Sequence, residues 1–166
     1  MQTARLTTGV LVFAALTLAA PAPAHAQQRG APAAPPGPTM DQALAALAKA
    51  RATADGLGVK LSCAVVDSRG DLVALARMEG ARFYTTDVAR GKATLSAMFG
   101  QPSSDLADFA QSPAFPNFNE AAQAPLYPFQ GALPIEKSGA VIGAMGCSGA
   151  ASQVDEDTVR SALDSF

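Results

Sequence analysis

The stretch that decides the fold is GALPIEKSGAVIGAMGCSG, at residues 131–149. Its pattern predicts a β-hairpin with strands over 133–136 and 140–148, joined by a turn over 137–139. Gly143 and Gly146 interrupt the second strand, and glycine inside a strand marks a bulge or a close approach by a backbone or a ligand. Because the hairpin carries few charged groups, we interpret the two glycines as allowing a helix or a second subunit to pack close to the sheet.

The first 26 residues have the pattern of a secretory signal peptide. Arg5 supplies positive charge, residues 10–18 form an apolar core, and residues 24–26 read A-x-A. The apolar core is shorter than the roughly 20 residues that cross a bilayer. We therefore predict a periplasmic or secreted protein whose mature chain begins at Gln27 and contains no membrane span.

Cleavage after Ala26 would remove His25, the single histidine of the sequence. A mature chain without imidazole excludes mechanisms that need histidine as a base, proton shuttle or metal ligand. Loss of Arg5 also changes the formal net charge from −2 to −3. A mildly acidic chain without a basic run argues against nucleic acid as a partner.

The pattern of the remaining chain predicts a single α+β domain. Residues 27–38 are rich in Pro, Ala and Gly and predict a disordered tether, so the folded domain covers residues 39–166. Within it we expect a helix over 40–57, strands over 59–67 and 71–78, a helix from Thr85 or Thr86 to Phe99, a short helix over 103–111, an ordered aromatic-rich loop over 112–130, the hairpin of 131–149, and a helix over 153–166. Strands that come as hairpins favour an antiparallel sheet with helices.

Several local features of the two main helices are predicted from single residues. Thr39 and Gln42 form a capping box for the first helix. A threonine hydroxyl caps the second. Gly91 inside the second helix costs about 1 kcal/mol relative to alanine, which is tolerable if packing compensates or if another group approaches the helix backbone there. The expected apolar face of the first helix comprises Met40, Leu44, Leu47, Ala50 or Arg51, Ala54 and Leu57.

The two cysteines, Cys63 and Cys147, fall in two different predicted strands. A disulfide forms only if those strands are neighbours with Cα atoms about 5.5 Å apart. Buried free thiols, which behave as small hydrophobic groups, are the alternative. The sequence leaves both possibilities open.

A group of cations beside aromatic residues is the main candidate for ligand chemistry. Arg77, Arg82, Arg90 and Lys92 lie at a strand end, in the loop that follows and on the next helix, with Phe83 and Tyr84 among them. Such a set binds carboxylates while apolar surface holds a flat organic body. The competing interpretation is a solvated helix face with surface ion pairs. Phosphate-loop and dinucleotide motifs are absent, and we interpret the acids at residues 155–157 as complements of a helix dipole.

Three blocks of the sequence resemble the GlcG/HbpS family of haem-binding proteins, and also the C-terminal domain of PduO-type proteins. They are AVVDSRGDLVALARMEGA at 64–81, DVARGKATLSAMF at 87–99, and GALPIEKSGAVIGAMGCSGA at 131–150 followed by QVDEDTVRSAL. The resemblance implies a profilin-like fold with a five-stranded antiparallel sheet flanked by helices, and a homo-oligomer. It further implies binding of haem or another small planar ligand, in haem sensing, storage or breakdown. Many members have no established activity, so the resemblance does not make the chain an enzyme.

The resemblance also implies roles for the cation–aromatic group. Arg77, Arg82, Arg90 or Lys92 would neutralise the haem propionates, while Tyr84, and after it Met98, are the candidate iron ligands in a chain without histidine. Two alternatives remain. One is a small-carboxylate metabolite-binding accessory protein or enzyme that uses the same pocket. The other is an oligomeric interaction module without a ligand.

Overall fold

The computed structural model describes residues 37–122 and 124–166. The predicted signal peptide and residues 27–36 of the predicted tether lie outside the described residues. The helices are α1 (Met40–Gly56), α2 (Thr85–Phe99), α3 (Phe115–Ala121) and α4 (Ser152–Ala162), and the strands are β1 (Ser62–Asp67), β2 (Leu72–Arg77), β3 (Ala132–Lys137) and β4 (Ala140–Ser148). Short 3₁₀ turns occupy Ser103–Leu106, Asp108–Gln111 and Leu163–Ser165. In the described part of the chain, no helix combines the length and apolarity needed to cross a membrane.

The strands form one antiparallel sheet in the order β2-β1-β4-β3, which confirms the α+β class. The five-stranded sheet that the family resemblance implies is wrong for the described residues, where the sheet has four strands. Each predicted hairpin contributes two. The segment between α2 and the second hairpin contains several prolines, which cannot donate to a strand ladder, and it folds as 3₁₀ turns and α3 instead.

The hairpin of residues 131–149 forms as predicted. Lys137 pairs with Ala140, so two residues connect the strands. These two, Ser138 and Gly139, have φ angles of 52° and 79°. Positive φ at both central residues is the requirement of the tight turn that matches the twist of β-strands.

The sheet separates two layers of helix. α2 packs on one face, where Val66, Ala93, Ala97 and Ala144 form a small cluster. α1 and α4 pack on the other face and enclose the main core. The predicted capping box of α1 is present, with the Gln42 backbone N–H donating to Thr39 Oγ1 over 3.2 Å.

The predicted apolar face of α1 is wrong in part. Leu47, Ala50 and Ala54 are buried as expected, together with two further alanines, but Met40, Leu44 and Leu57 are more than half exposed. The helix turns its alanine-rich side inward, because small side chains let it lie close to the sheet and to α4. Its larger apolar residues are left on the flanks.

Cys63 and Cys147 face each other across β1 and β4 and form a disulfide. Their Cα atoms are 4.1 Å apart. The neighbouring position of the strands therefore decides between the two possibilities that the sequence left open.

Gly146 is the place where α2 comes closest to the sheet. A Cβ atom added there would lie 2.6 Å from the carbonyl oxygen of Ala89 and 3.0 Å from the backbone nitrogen of Ala93. Both atoms belong to the backbone of α2, which has no flexible end to move aside. The interpretation that this glycine admits a closely packed helix is confirmed.

We predict that Gly146→Ala destabilises the protein by about 1–3 kcal/mol, the usual cost of overpacking a core. The measurement is denaturant unfolding followed by circular dichroism. Gly56→Ala is the matched control, since a Cβ at that helical position meets nothing within 4 Å; its effect should stay within about 1 kcal/mol. Equal stability of Gly146→Ala and the parent protein would contradict this account of the packing.

Candidate functional site

The predicted arginines do not all serve the same surface. Arg82 Nη2 donates to the carbonyl oxygen of Gly149 over 3.1 Å, and Arg77 Nη1 donates to the carbonyl oxygen of Ala81 over 3.3 Å. Both bonds tie the loop before α2 to the ends of the strands. The Nε atom of Arg90 is buried and, among the described residues, has no hydrogen-bond partner.

The turn that leads into α2 is held by two hydroxyl groups. Thr85 Oγ1 donates to the carbonyl oxygen of Arg82 over 2.8 Å, and Ser62 Oγ lies 2.8 Å from the same Thr85 oxygen. A hydroxyl has one proton to donate, so Ser62 is the donor to Thr85. The predicted threonine cap of α2 is therefore wrong: the hydroxyl of Thr85 fastens the preceding turn, and Tyr84 precedes the helix without a side-chain cap.

Tyr84 adopts the left-handed conformation, with φ of 70°. This conformation is uncommon for a residue with a side chain and occurs more often at functional sites. It places Tyr84 next to Phe83, with the ring centroids 5.6 Å apart. The Phe83 side chain is 92% exposed, which is unusual for a large aromatic group.

These residues line a shallow pocket of about 320 Å³ at the start of α2, which we call the α2-entrance pocket. Its lining consists of Arg82, Phe83, Tyr84, Thr85, Val88 and Ser148. It combines an aromatic surface, a phenol oxygen and a guanidinium group. This combination suits a flat ligand that carries negative charge.

Tyr127 contacts Tyr84 from outside the pocket lining, and sequence reasoning did not single it out as a site residue. Its hydroxyl donates to the hydroxyl oxygen of Tyr84 over 2.7 Å, and the two rings meet edge to face with centroids 6.2 Å apart. Partial burial, and after it the hydrogen bond to Tyr84, raise the pKa of Tyr127 to about 12.

The signal that could have found Tyr127 is Gly91. A Cβ atom on Gly91 would collide with the carbonyl oxygen of Pro125 and lie 2.6 Å from Cδ2 of Tyr127. Of the two explanations that the sequence left open for this helix glycine, the structure shows a close approach to the helix backbone, and the approaching group is the segment that carries Tyr127.

Lys92 lies in the interior, only 3% exposed, and does not line the α2-entrance pocket. Its Nζ atom is 3.2 Å from Asp155 Oδ2 and 3.3 Å from the carbonyl oxygen of Cys147. Burial lowers the pKa of Lys92 and raises that of Asp155. From the sequence, Asp155 was interpreted as a complement of the helix dipole. In the structure it is also the buried partner of Lys92, which lies on α2 while Asp155 lies on α4.

Met98 lies near the opposite end of α2 and is 42% exposed. At about 1.5 Å of rise per residue, fourteen residues place it about 20 Å from Tyr84 along the helix. The two candidate iron ligands therefore do not belong to one site. In the described part of the chain, no group of three or more His, Cys, Asp or Glu side chains is arranged to hold a metal ion.

A larger groove of about 760 Å³ lies between α1 and β2. Leu44, Leu61, Leu75 and Met78 contribute to its apolar lining, and Arg51, Lys60 and Arg77 are among its charged residues. Arg77 also pairs in register with Ser62, whose hydroxyl belongs to the α2 side of the sheet. Arg77 thus lines the groove and does not line the α2-entrance pocket.

Comparisons with known proteins identify the family. Residues 39–164 match the family model described as haem degrading protein HbpS-like. The chain belongs to the HbpS-like family. The resemblance found in the sequence is therefore confirmed.

Individual relatives agree with this assignment. An uncharacterised 15.0 kDa protein of Citrobacter freundii, encoded in the dhaT–dhaS intergenic region, is 30% identical over 111 residues, which are 66% of this chain and 78% of that protein. The crystal structure of a double mutant of Streptomyces reticuli HbpS matches with a TM-score of 0.69 and 27% identity, over 91% of this chain and 97% of that one. The structure titled as a PduOC–heme complex has a TM-score of 0.67 at 21% identity, over 78% and 95% of the two chains, and shows the shared fold.

We predict that Lys92→Met destabilises the protein by about 3–5 kcal/mol, because it leaves the Asp155 carboxylate buried without its partner. Denaturant unfolding measures the loss. Adding Asp155→Asn should recover part of it. If Lys92→Met is as stable as the parent protein, the pair does not hold the layers together.

The same variant should lose less stability at lower pH. Burial already raises the pKa of Asp155, so the folded state binds this proton more tightly than the unfolded state does. Stability from such a group is present below the unfolded pKa and is lost as pH rises. The difference between variant and parent should accordingly shrink as pH falls towards about 4.

We predict that ultraviolet titration of the phenols shows one tyrosine ionising at about pH 12, the value for Tyr127. The chain has two tyrosines and no tryptophan, so the assignment is direct. In Tyr84→Phe the pKa of Tyr127 should fall towards the usual value of about 10, since the hydrogen bond is gone while burial remains. Circular dichroism must show that the protein is still folded. A single transition of both phenols near pH 10 would contradict the pairing.

Proposed function

We propose that this chain binds haem in the α2-entrance pocket. The observation that carries the proposal is the Phe83 ring, 92% exposed beside the Tyr84 phenol and the Arg82 guanidinium. A solvated ring of this size has no role in the core. In a binding site it offers the apolar surface on which a flat ligand rests.

The residues present fit the chemistry of haem. Without imidazole, tyrosine is one of the side chains that ligate haem iron in proteins, and the Tyr84 oxygen lies at the pocket. Arg82, and Arg77 at the neighbouring strand end, are suited to the propionates, because guanidinium binds carboxylate with charge-assisted hydrogen bonds. Haem, when bound, supplies an iron centre; the chain's part is to bind and orient it.

The other predicted site residues have weaker claims. Lys92 is already paired with Asp155 in the interior, and Met98 is remote from Tyr84. Arg90 is a further candidate for binding a propionate. Its Nε atom is buried and has no hydrogen-bond partner among the described residues. The family description speaks of haem degradation, but our proposal is limited to binding.

We further propose that the protein acts after export, as a homo-oligomer. The proposal rests on the signal-peptide pattern of the first 26 residues and on apolar side chains left exposed on the domain, among them Leu75, Met98, Phe99 and Phe118. Among them the rings of Phe99 and Phe118 lie close together, with centroids 6.0 Å apart, and exposed apolar patches are typical of interfaces. Mass spectrometry and light scattering of the secreted protein would decide both points, and an unprocessed or monomeric protein would contradict them.

The experiment is a haemin titration of the purified protein followed by absorption spectroscopy. We expect a saturable shift of the main absorption band. The Arg82→Ala, Tyr84→Phe double variant should weaken binding at least roughly tenfold, since hydrogen bonds to charged groups contribute about 1.5–3 kcal/mol and 1.4 kcal/mol is tenfold in affinity.

Two further variants locate the site. Lys137→Ala removes an exposed cation next to the hairpin turn and should leave binding unchanged. Arg51→Ala removes a cation from the larger groove. If Arg51→Ala weakens haemin binding while the Arg82–Tyr84 double variant does not, the ligand lies in the groove and the α2-entrance pocket is wrong.

The outcome that favours the competing function is also defined. If the spectrum stays that of free haemin while small organic acids raise the melting temperature, the protein is a small-carboxylate binder. Ligands that bind only the folded state stabilise it in this way.

A further inference from the structure

We propose that Tyr127 is the positioning residue of the haem site, which it serves by hydrogen bonding to Tyr84 and fixing its phenol towards the α2-entrance pocket. This inference rests on the proposed function, since it assigns a task within the same site. It concerns a residue that does not line the pocket and lies 43 positions away from Tyr84 in the sequence.

The first step is the hydrogen bond itself. Tyr127 donates and the Tyr84 oxygen accepts, over 2.7 Å. An acceptor oxygen keeps a second lone pair, which remains for a metal. If Tyr84 held haem iron through this oxygen, its own proton would pass to water, while Tyr127 would keep its proton and continue to donate.

The second step is that Tyr84 has little other support. No side chain caps the helix at its position, and its backbone is in the left-handed region. Among the described residues, the other ring that contacts Tyr84 is Phe83, which is itself almost fully exposed. Tyr127 is therefore the contact that selects one orientation of the Tyr84 ring. Groups that orient a metal ligand from outside typically change metal affinity by 10–100-fold when removed.

The third step is that Tyr127 is itself firmly placed. The segment that carries it lies against the bare backbone of Gly91, with Tyr127 Cδ2 within 2.6 Å of the position that a Cβ would take. The residue before it is buried, and its backbone N–H donates to Asn119 Oδ1 over 2.7 Å. The position of Tyr127 thus follows from α2, the same helix that begins just after Tyr84.

The test compares the processed protein, which begins at Gln27 and contains no histidine, with its Tyr127→Phe, Tyr84→Phe and double variants, all titrated with haemin. Tyr127→Phe keeps the ring and loses only the donor. We expect it to weaken binding by about 10–100-fold and to shift the visible phenolate-to-iron band of the ferric complex. In the Tyr84→Phe background the same change should have no further effect, as a double-mutant cycle of two coupled residues requires.

A second readout needs no haem. Both tyrosines of the chain are in this pair and tryptophan is absent, so near-ultraviolet circular dichroism of the free protein reports the ordering of these rings. In Tyr127→Phe the tyrosine band should lose more than the contribution of the Tyr127 phenol itself. The additional loss comes from Tyr84, which no longer has a fixed orientation.

Gly91→Ala provides an independent route to the same loss. Its methyl group displaces the Pro125–Tyr127 segment without touching the pocket, so haemin binding and the tyrosine band should change as in Tyr127→Phe. Gly56→Ala, a helix glycine with open space around it, is the control and should change neither. Unfolding curves show whether each variant is folded.

The outcomes separate the two proposals. If the parent protein gives no saturable shift, the haem function fails, and with it the role of Tyr127 in a haem site. If the parent binds haemin but Tyr127→Phe has the same affinity and spectrum, the positioning role alone is overturned. The positioning role is also overturned if Tyr127→Phe weakens haemin binding equally in the parent protein and in the Tyr84→Phe variant.

Discussion

The contact between α2 and the sheet at Gly146 determines where the other parts of this domain can lie. Helix and strand backbones approach so closely there that a single methyl group would collide with Ala89. At ordinary helix-to-sheet distances, side chains of any size can fill the space. Close to this contact small side chains are favoured, and the cluster on that face consists of Val66, Ala93, Ala97 and Ala144. The position of α2 is therefore set by backbone geometry more than by large interlocking side chains.

Two further contacts depend on α2 being so placed. Lys92 reaches past the sheet to Asp155 on α4 and joins the helix layers through a buried ion pair. Such a pair contributes little net stability, because desolvation offsets the attraction, but either charge left alone is costly. It therefore favours one register of α2 over others. On the same helix, Gly91 accepts the Pro125–Tyr127 segment, so one element positions both Tyr84 and Tyr127.

The sequence was informative where a feature depends on neighbouring residues. The hairpin of 131–149, the capping box at Thr39 and the special roles of Gly91 and Gly146 follow from local rules. The disulfide could not be decided in this way, since it depends on β1 and β4 being neighbours. The sequence also did not predict that Leu44 and Met40 are exposed. Periodicity shows that a helix has two faces, but it does not show which face contacts an alanine-lined surface.

The candidate site shows the same limit. The cation–aromatic group was visible because its members lie within sixteen residues of each other. Its internal arrangement was not, since Lys92 turns inward to meet Asp155, which is far away in sequence. Tyr127 was missed for the same reason: a loop tyrosine gives no sign of the helix it rests on. The one available sign was indirect, a glycine in a helix whose cost must be offset by something outside it.

The shape of the α2-entrance pocket has a consequence for any ligand it holds. Binding sites for small molecules usually bury most of the ligand, whereas a shallow pocket of about 320 Å³ covers only part of a flat molecule. The apolar contribution to affinity is then limited to the covered area. What remains must come from directed contacts, namely an oriented Tyr84 oxygen and the nearby guanidinium groups. Under the proposed function, a site of this kind would release haem more readily than a sealed cavity does. It also makes orientation of the phenol matter more than it would in a deep pocket, where the surrounding walls hold both ligand and side chain in place.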